Sequence, residues 1–132
     1  MEFCLAILLL KRKAGLGEFS EKVVHRPEVQ EMIRKINFYV DPEAESAGFD
    51  KMTSILKIHL KDGRMITGRA DFAKGSPANP MTFEEAATKF RGCAEYAGCS
   101  KSKAEKIISL LRTLDSVPDV DVLGPLLSVE KG

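Results

Sequence analysis

Between Met52 and Phe72 apolar and polar residues alternate on both sides of an Asp62-Gly63 pair, and no other stretch restricts the possible folds as tightly. Met52, Ser54, Leu56, Ile58 and Leu60 fall on one side of an extended strand, and Thr53, Ile55, Lys57, His59 and Lys61 on the other. A period of two fits a strand and not a helix. On the return, Ile66, Ala70 and Phe72 share a face. Asp-Gly between two such runs signals a two-residue hairpin turn, because both positions tolerate positive φ. Ile36, Phe38 and Val40 alternate with Asn37, Tyr39 and Asp41 up to Pro42, which predicts a further strand and a sheet of about three.

Helical patterns lie on either side. Glu2 to Ala14 is apolar almost all the way round (Phe3, Ile7 and Leu10 on one stripe, Leu5, Leu8 and Leu9 on others), so this helix needs neighbours on more than one side. No residue suited to N-capping precedes it, so it reads as the continuation of a longer element. Ser20 is placed to cap Glu21 to His25, and Pro27 opens a helix to about Lys35 with Val29, Met32 and Ile33 inward. Glu43 to Lys51 reads as a polar loop. Thr82 and Glu85 form a capping box ahead of Phe83, Ala86, Ala87, Phe90 and Ala94 at helical spacing, ended by Gly98. Ser100 caps a helix with Ala104, Ile107, Ile108, Leu111 and Leu114 on one stripe; Pro118 breaks it, and Asp119 caps a last short helix. Helices segregated from an antiparallel sheet define the α+β class, here as a two-layer sandwich. Two regions are expected: 1–98, containing the sheet, and a C-terminal helical segment, 99–132.

Charge excludes several functions. Twenty Lys and Arg against 19 Asp and Glu leave a formal charge of +1, so no broad field draws in nucleic acid or anionic lipid. The apolar run Cys4 to Leu10 is too short to span a bilayer. Its flanks, Glu2 before and Lys11-Arg12-Lys13 after, are the reverse of a signal peptide. A cytoplasmic location without membrane contact is the expectation. The three cysteines, Cys4, Cys93 and Cys99, form no Cys-x-x-Cys pair and read as reduced, mostly buried thiols.

Chemistry is sparse. The two histidines, His25 and His59, stand apart; His59 lies on a polar strand face beside Lys57 and Lys61, either a solvated surface or an anion-binding patch. Lys11-Arg12-Lys13 ends the first helix, where cations complement the dipole. In Lys74-Gly75-Ser76-Pro77-Ala78-Asn79-Pro80, two kinds of reading stand side by side: a plain strand-to-helix connection, or a stiff functional loop. For the second, Lys74 offers a carboxylate partner and Asn79 a donor and an acceptor.

Several segments, in order, resemble the C-terminal, lid-bearing region of the MmgE/PrpD family (2-methylcitrate dehydratase-like). They are Met1 through Leu10 followed by Gly15-Leu16 and Phe19; Arg26-Pro27-Glu28-Val29 with Ile33; Leu60-Lys61-Asp62-Gly63-Arg64; Lys74-Gly75, Pro77 and Asn79-Pro80-Met81; and Phe90-Arg91 with the helix ending at Leu114. The resemblance implies a large all-helical domain and an α+β lid, with the active site in the cleft between them. It implies dehydratase, decarboxylase or isomerase chemistry on small polycarboxylates, without metal or organic cofactor. Such chemistry needs an acid–base pair and cations on the carboxylates. The family's acid, base and carboxylate-binding residues lie mainly in segments before Met1, so no catalytic residue is carried over. Phe3, Lys74 and Asn79 are carried over as substrate-cleft or hinge candidates, and the tail from about Ser100 as the part that rejoins the helical domain. The expected partners are a helical catalytic domain and a second copy of the chain, with substrate bound only in the complete enzyme. The alternative is an independent α+β module that binds a small molecule on the Lys57, His59 and Lys61 face.

Overall fold

A computed structural model describes residues 1–128; the end of the expected 99–132 segment lies outside the described residues. The chain is α+β and divides into two compact units. One unit comprises Met1–Ile36 and the chain from Thr82 onward; the other is Asn37–Met81.

The first unit is helical. It contains α1 (Glu2–Lys11), α2 (Glu21–Val24), α3 (Pro27–Ile33), α5 (Phe83–Tyr96), α6 (Lys101–Arg112) and α7 (Leu123–Leu127). Local chemistry fixes the ends. Pro27 is the first residue of α3, and Ser20 stands at the N-cap of α2, its carbonyl accepting from Val23 and Val24 N–H at 2.9 and 3.0 Å. Thr82 and Glu85 close a reciprocal capping box, and the Ser100 hydroxyl accepts from Lys103 N–H at 3.2 Å. Asp119 accepts from Asp121 N–H at the turn before α7. Arg12 stops α1 in the left-handed region, φ 56°, with its N–H bonded to Leu8 O at 2.9 Å. The cationic run Lys11-Arg12-Lys13 thus caps α1 through backbone as well as charge.

Packing buries a small set of side chains. Helix α1 lies on α3 and α5 on α6; the buried residues are Ala6 and Ile7 of α1, Val29 of α3, Ala87 and Ala94 of α5, and Ala104, Ile107 and Ile108 of α6. Alanines let those axes approach closely, as interdigitating helices require. The all-round apolar α1 is covered on one side only: Leu8 and Leu9 stay exposed. Phe83, Leu111 and Leu114, expected inward, are also exposed at the rims of α5 and α6.

The second unit holds α4 (Pro42–Ser46), β1 (Ser54–His59) and β2 (Met65–Ala70). The strands pair antiparallel with Leu56 opposite Gly68 and Ile58 opposite Ile66, so the expected apolar faces coincide. The turn differs from the expectation. Leu60 N–H bonds to Arg64 O at 2.8 Å, leaving a loop of Lys61, Asp62 and Gly63, and only Gly63 takes positive φ, at 85°. A type I turn closed by a left-handed residue is the usual three-residue solution. Asp62 instead holds the loop from outside, accepting from the Arg64 N–H at 3.0 Å and from its Nε at 2.8 Å.

The sheet has two strands among the described residues, where about three were expected. Ile36 to Val40 forms no ladder, and Phe38 and Val40 are 62% and 74% exposed. Alternation makes a segment fit for a strand but supplies no partner for its N–H and C=O groups. The polar loop after it contains a helix: Asp41 Oδ1 accepts from Glu43 and Ala44 N–H at 2.9 and 3.3 Å, and Pro42 occupies the first helical position. Within its unit the hairpin leaves its apolar face open, with Ile66 53% exposed.

Ile7→Ala is expected to lower the unfolding free energy by about 2–5 kcal/mol, the usual cost of truncating a buried isoleucine. A urea midpoint unchanged within error would show that α1 is not anchored there. Gly63→Ala forces a Cβ into the left-handed region and is expected to cost about 1 kcal/mol. Faster hydrogen exchange at the Leu60 amide reads that loss, and unaltered protection would contradict the turn assignment.

Candidate functional site

The loop after β2 carries two of the three candidate residues, and its base is clamped before it begins. Thr53 Oγ1 donates to Asp71 Oδ1 at 2.8 Å, Arg69 Nε donates to the same oxygen at 3.0 Å, and Met52 N–H bonds to Asp71 O at 2.9 Å. Arg69 also pairs with Glu43 of α4. The Thr53 hydroxyl first, then the Arg69 guanidinium, hold the Asp71 carboxyl below its ordinary value.

Beyond Phe72 the loop folds on itself. Gly75 N–H bonds to Asn79 O at 2.8 Å, Asn79 N–H to Ser76 O at 3.0 Å, and Ser76 N–H to Ala73 O at 3.1 Å. Gly75 sits at φ 93°, a backbone conformation that selects glycine, while a Cβ there would only touch the flexible Met81 side chain at 3.4 Å. Asn79 Nδ2 donates to Phe72 O at 3.3 Å. Asn79 therefore organises the loop with its backbone and its amide, while Lys74 is exposed at its start. The Ser76 hydroxyl oxygen is enclosed and has no hydrogen-bond partner among the described residues.

Phe3, the third candidate, belongs to the helical unit, where its ring meets Phe19 edge-on at 5.4 Å between centroids. On the hairpin, Lys57 and His59 are exposed opposite Thr67 and Met65, but Lys61 lies in the turn, so the expected trio on one strand face reduces to two. His25 is exposed, with Nδ1 2.8 Å from Glu21 O; a carbonyl only accepts, so Nδ1 carries the proton. Cys4, Cys93 and Cys99 are free thiols, but they are not buried as expected: Cys93 is exposed and the other two are half-buried.

The strongest electrostatic arrangement escaped the sequence reading. Arg91 donates to both oxygens of Glu105 at 2.7 and 3.1 Å and to Glu84 Oε1 at 2.9 Å, while Arg112 donates to Glu84 Oε2 at 2.7 Å. Arg112 also lies 4.5 Å over the centre of the Phe83 ring. The short connection between α5 and α6 turns the chain back, so the start of α5 meets the end of α6. Hydrogen bonds from Arg91, joined at Glu84 by Arg112, hold the Glu84 and Glu105 carboxyls below the ordinary value. Glu84 and Arg91, seven apart in the sequence, would have signalled the first of these pairs. The others join helices and have no local signature. An open groove of about 560 Å³ runs along α6 between Ser102 and Thr113, lined by Glu105, Lys106, Ser109 and Leu110. Among the described residues no group of three His, Cys, Asp or Glu could hold a metal ion, and no helix is long and apolar enough to cross a membrane.

Fold and site together define an α+β module with a self-bonded loop after its hairpin. The chain belongs to the MmgE/PrpD family: the model of the MmgE/PrpD C-terminal domain matches residues 1–115. It is similar to cis-aconitate decarboxylase of Mus musculus, 30% identical over 119 residues, which cover 90% of this chain and 24% of that protein. The cis-aconitate decarboxylase of Homo sapiens is 27% identical over 126 residues, 96% of this chain and 26% of that protein. The Aspergillus terreus cis-aconitate decarboxylase is 28% identical over 128 residues, again 96% and 26%. The chain thus spans about a quarter of the length of the curated relatives it matches.

Because the α5–α6 carboxyls titrate lower when folded, their stabilisation is full above the ordinary glutamate value of 4.5 and is lost as pH falls through the folded-state values. All four side chains are exposed enough for the loss to be small and salt-sensitive. Urea midpoints measured from pH 7 to pH 3 are expected to drop less steeply in Glu84→Gln/Glu105→Gln than in the parent; identical slopes would remove the quartet from the acid response.

Proposed function

We propose that this chain acts as the lid-bearing C-terminal part of an MmgE/PrpD-type enzyme that works on small polycarboxylates, and that it is catalytically silent alone. The observation that carries this reading is the family match over residues 1–115 in a chain that spans about a quarter of its relatives. Those relatives are named as decarboxylases of cis-aconitate, which favours loss of CO₂ from an unsaturated tricarboxylate over dehydration or isomerisation. In such a reaction the C–C bond to the departing carboxylate breaks, and an acid delivers a proton to the carbon left behind. Cations must hold the remaining carboxylates meanwhile.

In this reading a helical domain supplies the acid, the base and most of the cations. The lid contributes position. Lys74 brings an ammonium to the rim of the cleft, Asn79 keeps the loop that carries it in shape, and Phe3 packs at the cleft edge. The open apolar surfaces fit a covering partner, either that helical domain or a second copy of this chain: Leu8 and Leu9 on α1, and Leu56 and Ile66 on the hairpin.

Assayed alone with cis-aconitate and with 2-methylcitrate, the purified chain is expected to give no product above the buffer rate, and turnover at enzymatic rates would overturn the proposal. Grafted in place of the matching segment of the mouse relative, it is expected to give a folded chimera that releases CO₂ from cis-aconitate. Lys74→Ala in that chimera should raise KM about tenfold, the value of one charge-assisted contact. A chimera folded by circular dichroism yet unable to bind substrate would count against the lid role.

The isolated chain is also expected to self-associate in sedimentation experiments, with Leu8→Glu/Leu9→Glu shifting it toward monomer. A monomer at all concentrations that binds no hydrophobic dye would argue that those faces need no cover.

A further inference from the structure

We draw no further inference here: the strongest candidate, the open apolar face of the β1–β2 hairpin formed by Leu56, Ile58 and Ile66, carries none because nothing in the structure shows what covers it.

Discussion

Ile7 and Val29 are the largest side chains fully withdrawn from solvent, and they lie where α1 crosses α3. The start of the helical unit depends on that contact, because the chain between the two helices, Arg12 to Arg26, forms turns and the short α2 without burying a residue of its own. A core this small leaves little margin. Hydrophobic burial scales with the area removed from water, and on the α5–α6 side the buried apolar residues among those described are Ala87, Ala94, Ala104, Ile107 and Ile108, none of them fully withdrawn. Alanine contributes little area itself but sets the helix spacing that lets isoleucine become buried.

Where apolar area runs short, charge-assisted hydrogen bonds hold the elements in register. Arg91 is planar, always charged and bidentate toward Glu105, so it fixes the rotation of α5 against α6 more sharply than a lysine would. In the other unit Arg69 bridges Asp71 at the foot of the hairpin and Glu43 on α4. These contacts are exposed, and their energetic share is modest. Their value is geometric, since they make one arrangement of neighbouring elements better than its rotated alternatives.

Legibility in the sequence followed the range of the interaction. Thr82 with Glu85, Ser100 and Pro27 each act within a turn of themselves, and the structure uses them as read, whereas Asp119 caps the 3-10 turn Val120–Val122 that leads into α7. The hairpin was legible because Leu56 to Ile66 alternate regardless of what covers them. Ile36 to Val40 misled because a strand is a relation between two segments, and alternation describes only one. Asp41-Pro42-Glu43 was a readable helix start that straddled the end of the expected strand and the beginning of the expected polar loop. For the candidate site, Lys74 and Asn79 could be placed on one loop, but not the finding that the Asn79 amide closes that loop onto Phe72. Arg91 with Glu105 depends on how α5 folds back along α6, which no local pattern encodes.

The unpaired run Ile36-Asn37-Phe38-Tyr39-Val40 is rich in residues that favour cross-β stacking, and Phe38, Tyr39 and Val40 stand in solvent. Asp41 and Pro42 follow it at once. A fixed negative charge and a residue without an N–H are what halt a growing stack of strands. The residues that start α4 thus also stand where any stacking of strands begun at Ile36 would have to stop.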